Sequence, residues 1–409
     1  MSYERDPSPE GGVALPRGFL AGAVRAGIRP DVDKLDVGIL FSEVRCVAAA
    51  VYTSNRVKAA PLVVCQEHLA DGRAQAIIAN SGCANAATGE QGLADARAMA
   101  ERTAAKLGIR PRDVLVASTG VIGTFLPMER VRDAVSRIEL SPAGGPDFAR
   151  AIMTTDTRPK CNSGRCGQQG EEYALWAVAK GAGMIHPNMA TMLCFIATDA
   201  PLAQPYLAAC LREAVDVSFN MIDVDGDTST NDTVIVLANG LAGGEPIDER
   251  HPAADAFRSA LTDCCVRLAK AIVADAEGAT RVIECTVEGA ASPEDARRAA
   301  REVVRSLAVK TAVYGCDPNW GRILAAVGNS GAEMIEEKAA LLLSAPENSA
   351  VYLYRHGAPV AFDEAQVRAC LAGREVCIRV ELGLGEGAAT AWGSDITEEY
   401  VRLNSAYTT

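Results

Sequence analysis

Short apolar runs alternate irregularly with amphipathic helical stretches along this chain, and that alternation restricts its fold more than any other feature. Strand character marks residues 76–79, 114–117, 174–179, 194–197, 233–238, 282–287 and 376–382. Helical periodicity marks 91–107, closed by Gly108, and 254–276, closed by Gly278. In the first of these, Leu93, Ala96, Met99, Ala100, Thr103, Ala104 and Leu107 form one stripe. A further helix is predicted to start at Ser292, whose hydroxyl can cap a first turn carrying Pro293, Glu294 and Asp295. Such an order predicts a mixed α/β protein with layered sheets, and excludes a helical bundle, a propeller or a regular βα barrel. The polar stretch 158–172, rich in glycine and holding two cysteines, reads as an exposed loop. At 409 residues the chain exceeds the size at which one core stops growing, so two lobes or two closely packed domains are expected.

Charge excludes one class of partner. Lys plus Arg total 40 against 52 Asp plus Glu, for a net charge of −12, and no basic stripe offers a footprint for nucleic acid. No apolar run approaches the ~20 residues that span a bilayer. Residues 1–9 are polar and acidic, unlike a signal peptide, so a cytoplasmic protein is expected. The 13 cysteines are scattered among apolar neighbours, as in Val63, Val64, Cys65 and Val376, Cys377, Ile378, and read as small buried hydrophobes. Neither Cys161 with Cys166 nor Cys264 with Cys265 has zinc-knuckle spacing or a histidine at ligand distance, so no metal site is predicted.

Chemistry concentrates between Lys180 and Leu193. A strand-like run ends at Lys180, Gly181 and Gly183 permit a tight reversal, and a second run begins just after Thr191. A reactive hydroxyl at a sheet edge fits this arrangement, as does a plain turn feeding a β-branched residue into a strand.

The segment resembles the signature of the ornithine acetyltransferase family, in which a chain break precedes the threonine of an Ala-Thr-Met-Leu run, here Ala190, Thr191, Met192 and Leu193. Other blocks resemble the family in order and over nearly the whole length. They are Asn80, Ser81, Gly82 with Ala84, Asn85, Ala86; Ser118 to Gly123; Thr154 to Thr157; 224–233 (VDGDTSTNDT); 277–280; 317–322 (DPNWGR); and Asn404 to Thr409.

The resemblance implies a four-layer α/β/β/α fold of the amino-terminal-nucleophile, self-processing type. Cleavage between Ala190 and Thr191 would give an α chain, 1–190, and a β chain, 191–409, assembled as α2β2. Thr191 would then be the nucleophile, with its own α-amine as base, since a free α-amine has a pKa of about 7.7–8.0. It would take the acetyl group from N-acetylornithine and pass it to glutamate, with Thr119 and Gly120 stabilising the oxyanion. Thr154, Lys180, Glu277, Asn404 and Thr409, with Thr191, would bind substrate, Lys180 meeting a carboxylate and Glu277 an ammonium. No bound cofactor is implied; acetyl-CoA use depends on pocket details.

Three positions depart from the family pattern: Cys83 for asparagine, Ser394 for cysteine, and the long 158–172 stretch. Rival readings are weaker. Asp223, Asp225 and Asp227 lack the glycine and glutamate of a calcium loop, Thr228 and Val234 standing there, and read as an Asx-rich turn. His186 is expected to be a neighbour of the nucleophile with a minor role, and Gly383, Gly385 and Gly387 are too close for a dinucleotide fingerprint. Two functional alternatives are an amidase or aminopeptidase that ends in water, and an uncleaved protein that binds ornithine or glutamate.

Overall fold

Every apolar run singled out above is a strand of one of two sheets in the computed structural model, which describes residues 4–5, 14–30, 33–168, 171–186, 192–345 and 348–406. The strands before position 193 are β1 (Glu4–Arg5), β2 (Phe19–Val24), β3 (Val37–Tyr52), β4 (Arg73–Cys83), β5 (Val114–Val121), β6 (Lys160–Gln168) and β7 (Glu171–Lys180). There follow β8 (Leu193–Thr198), β9 (Ile222–Asp223), β10 (Thr233–Ala238), β11 (Val282–Ala290) and β12 (Ala340–Ala345). The last are β13 (Asn348–Arg355), β14 (Ala358–Pro359), β15 (Glu375–Glu381) and β16 (Gly387–Ser394). The first sheet has nine strands in the order β1-β6-β7-β8-β10-β3-β4-β5, with β2 on β3; the second has seven, β14-β13-β12-β15-β11-β16-β9. Strands from both sides of position 191 therefore lie side by side in the first sheet.

The central strands are apolar on both faces because both faces are covered. Leu193, Phe195, Ile235 and Leu237 pack with α1 (Ala60–His68), α2 (Gly89–Leu107), α3 (Met128–Arg137) and α4 (Gly145–Ala151). Cys194, Ile196, Val234 and Val236 point the other way, toward α5 (Gln204–Asp216) and α6 (Ala254–Val273). Helix α6 lies on β6 and β7 and also reaches β9 and β16, so it helps to join the two sheets into one core. The second sheet is covered by α7 (Pro293–Arg305) on β11 and β16, with α8 (Leu307–Tyr314) and α9 (Gly321–Asn329) beside it, and by α10 (Glu364–Ala372) on β12. The chain is thus a mixed α/β protein with two helix-covered sheets, as expected, and α5 and α6 lie where the sheets meet. A last helix, α11 (Glu398–Ala406), follows β16.

Local chemistry sets the helix limits. Helix α2 stops where Gly108 takes a left-handed φ of 69°. Ser292 caps α7, its hydroxyl accepting the Asp295 N–H at 3.1 Å with Pro293 in the first turn. Helix α6 ends at Val273, three residues short of the predicted Ala276. There Asp275 leaves the helical path and receives Thr157 and Lys160 instead.

One expectation fails. The stretch 158–172 is not an exposed loop: most of it forms β6 and the start of β7, paired antiparallel from Lys160 opposite Ala179 to Gln168 opposite Glu171. Its polar composition misleads because Lys160 is buried by pairing with two aspartates, while Ser163 and Cys166 face inward. The 16-residue β3 also escaped the sequence reading, since Ser42, Glu43 and Arg45 interrupt its apolar pattern around an irregularity between Phe41 and Cys46. The glycines at 383 and 385 do lie in a loop, the one joining β15 to β16. All 13 cysteines are free thiols. Burial pushes those of Cys65 and Cys265 up to about 12.

Candidate active site

Strand β7 ends at Lys180, directly opposite Leu193 at the start of β8. Lys180 is only 2% exposed. Its Nζ donates to Thr154 Oγ1 at 2.8 Å and to Thr119 Oγ1 at 3.3 Å, and among the described residues it forms no ion pair. Burial lowers its pKa, and the nearby Asp156 carboxylate is the chief charge opposing that shift.

Thr119 and Gly120 come from the end of β5, which runs parallel to β4 with Ser81 opposite Thr119 and Gly82 opposite Gly120. The carboxyl ends of parallel strands are where open α/β sheets bind ligands. Gly120 has φ +129°, and a Cβ there would lie 2.4 Å from the Gly82 carbonyl carbon, so glycine is required on two counts. Asn231, just before β10, ties these ends together: its amide donates to Ala84 O at 2.6 Å and Ser118 O at 2.8 Å.

Glu277 follows α6 and anchors its own N–H on Ala182 O at 2.9 Å. Asn404, on α11, donates to Glu277 Oε2 at 2.8 Å. Gly183 lies against this carboxylate so closely that a Cβ would meet it at 2.6 Å.

These groups surround one open cavity of about 290 Å³. Thr119, Gly120, Thr154, Lys180, Glu277 and Asn404, drawn from widely separated segments, all line it. Ala190, Thr191 and Thr409 lie outside the described residues. The structure adds Ala84, Gly183, Met184, Ser229, Thr230 and Asn231 to the lining, none of which the sequence had marked as a site residue. The signal for the last three was the polar run that precedes the apolar β10. A buried ammonium with hydroxyls and a separate carboxylate complement a small molecule that carries both a carboxylate and an ammonium.

The described residues on either side of 187–191 are held by the turn that leads into β10. Downstream, Met192 N donates to Asp232 Oδ1 at 3.1 Å. Asp232 is fully buried, its Oδ2 has no hydrogen-bond partner among the described residues, and burial raises its pKa well above the carboxylate range. Upstream, Asp225 accepts the N–H groups of Met184 and Ile185, at 2.5 and 2.9 Å. Burial pushes the Asp225 carboxyl up to about 6. This is the Asx-rich turn read from the sequence, now with a purpose. His186 does not line the cavity; its Nδ1 lies 2.9 Å from Asp223 Oδ1, and Asp223 pairs with the buried Lys310 at 3.0 Å.

Among the described residues no cluster of three or more His, Cys, Asp or Glu side chains could hold a metal ion. No described helix is long and apolar enough to cross a membrane.

The chain can now be set beside known proteins. The sequence model of the ArgJ family matches residues 20–409. The chain is 49% identical over 410 residues, covering 100% of both chains, to the arginine biosynthesis bifunctional protein ArgJ of Dehalococcoides mccartyi strain CBDB1. It is 45% identical, over 100% of this chain and 99% of the other, to the protein of the same name from Bacillus subtilis strain 168. A crystal structure of the arginine biosynthesis bifunctional protein argJ from Bacillus halodurans matches with 42% identity over 51% of this chain and 96% of that one, at a TM-score of 0.49. That of ornithine acetyltransferase complexed with ornithine from Mycobacterium tuberculosis matches with 38% identity over 46% and 98%, at 0.42. Full-length identity of this order to curated members, together with the family match, makes this chain a member of the ArgJ family.

Proposed function

We propose that this protein is an acyltransferase of arginine biosynthesis that moves the acetyl group of N2-acetyl-L-ornithine to L-glutamate through an ester on Thr191. One observation carries the reading: Lys180, buried and without an ion pair among the described residues, lines the same cavity as Glu277, beside Thr119 and Gly120. A donor with an α-carboxylate and a side-chain ammonium complements those two charges.

The chain first cleaves itself between Ala190 and Thr191, giving an α chain, 1–190, and a β chain, 191–409, which assemble as α2β2 in the cytoplasm. The freed α-amine of Thr191 takes the proton of its own hydroxyl as the oxygen attacks the acetyl carbonyl. Thr119 and Gly120 hold the oxyanion, the C–N bond breaks, and ornithine leaves with the proton. Glutamate's amine then attacks the ester by the reverse path and leaves acetylated, so each acyl transfer is balanced without a bound cofactor. Acetyl-CoA is the second donor to be tested against the same ester. Thr154 and Lys180 hold the carboxylate, Glu277 and Asn404 the ammonium, and Thr409 completes the site.

Intact-protein mass spectra of the wild type and Thr191→Ala, before and after N-acetylornithine, test this directly. Two wild-type fragments meeting at 190/191, one uncut mutant chain and an acetyl adduct on the larger fragment are expected. An uncut, unacetylated wild-type chain would overturn it. If the adduct forms but is lost to water as fast as to glutamate, the protein is an amidase.

A further inference from the structure

Lys180 reaches the cavity as a buried amine that forms no ion pair among the described residues, and the structure also contains what keeps it in place. Asp156, beneath the cavity wall, bonds both segments that carry the carboxylate-binding groups. Its Oδ2 accepts the Thr154 N–H at 3.0 Å, and its Oδ1 accepts the Gly181 N–H at 2.7 Å, immediately after Lys180. Its Oδ1 also receives Lys160 Nζ at 2.6 Å. Asp156 does not line the cavity. Lys160 is shared: Asp275 takes it as well, at 2.6 Å. Two buried aspartates thus meet Lys160, leaving negative charge in excess at this point, and Lys180 is the other buried lysine nearby.

We propose that Asp156 is the positioning residue of the carboxylate subsite, fixing Thr154 and Lys180 as one edge of the cavity and supplying negative charge behind that edge. The proposal rests on the reading of Lys180 as a carboxylate-binding group. Burial favours the neutral amine, and the charged groups facing Lys180 divide: Asp156 and Glu277 favour the ammonium, Lys160 opposes it; Asp232, whose own pKa burial raises, adds little charge. Lys34, which donates to Met153 O, also feels this cluster, and burial with the Lys180 charge lowers its pKa to about 8. Asp156 itself stays ionised: burial opposes this, but Lys180, Lys160 and the Gly181 N–H outweigh it and hold the carboxyl at about 2.

The test is the titration of Lys180 by NMR in 13C-lysine-labelled full chain, with Lys180→Arg to assign the signal, alongside pH profiles of acetyl transfer. Asp156→Asn should lower the Lys180 midpoint by about 1–3 units, the usual effect of losing an opposite charge at close range. The alkaline limb of kcat/KM for the acetylated donor should move down with it, through KM more than kcat. Asp275→Asn is the control, because it removes the same 2.6 Å contact to Lys160 without touching Thr154 or Gly181. It should leave the Lys180 midpoint in place. Equal midpoints in wild type and Asp156→Asn, or equal shifts in both variants, would overturn the proposal. Should Asp156→Asn not fold, Asp156→Glu replaces it: a charged Lys180 with at least a tenfold higher KM supports the positioning role, and an unchanged KM overturns it. The NMR arm decides even if the wild type transfers no acetyl group, which separates this inference from the proposed function.

Discussion

In the proposed function Glu277 reads the substrate ammonium, and Gly183 lies close against that carboxylate. A methyl group at 183 would sit 2.6 Å from that carboxylate and displace it from the geometry that Asn404 holds. Losing one charge-assisted hydrogen bond costs about 1.5–3 kcal/mol. We therefore expect Gly183→Ala to raise KM for N-acetylornithine roughly 10- to 100-fold. N-acetylnorvaline, which lacks the ammonium, should show no such change. Steady-state kinetics with both donors measure this, and equal losses for both would mean that Glu277 does not read the side chain. Residue type at these positions was visible in the sequence, because Thr119, Gly120, Thr154, Lys180, Glu277 and Asn404 stand in recognisable blocks. The roles of Asp156 and Asp232 were not, since each acts through contacts with residues far away or across a turn.

Elements were legible where local chemistry alone decides them. Gly108 ends α2 because only a left-handed residue closes that turn cheaply, and Ser292 starts α7 because its oxygen satisfies an otherwise unpaired amide. Ser292→Ala should cost about 1 kcal/mol of stability, the usual loss for an N-cap. Helix α7 packs on β11 and β16, so acetyl transfer should be untouched. Urea denaturation and a rate assay on one preparation check both halves, and a rate loss matching the stability loss would tie α7 to the site. Strand β6 was illegible for the opposite reason. Its pairing comes from β7, and the charge of Lys160 is tolerated only because Asp156 and Asp275 meet it in space.

At the scale of the molecule, acid stability should carry two opposite signatures. Asp156 titrates at about 2 in the fold against an ordinary value near 3.8, so its contribution is present above pH 3.8 and lost as pH falls toward 2. Asp225 titrates at about 6, so its contribution is present below 3.8 and lost as pH rises through 6. Asp225→Asn should flatten the stability profile between pH 4 and 6 relative to wild type, by an amount on the order of 2–3 kcal/mol. Urea midpoints at pH 4, 5, 6 and 7 measure it, and parallel profiles for the two proteins would show that Asp225 is not perturbed.

The α/β class, the main strand-forming runs, the caps of α2 and α7 and the blocks that hold the candidate residues were all legible along the chain, because periodicity and capping are local. Contacts in space alone bury Lys180 without an ion pair among the described residues, set Asp225 and Asp232 on the chain either side of 187–191, and put Asp156 against both Thr154 and Gly181. Burial and opposite charge act across space, between residues as far apart as Lys160 and Asp275, and no pattern along the chain records which of them will meet.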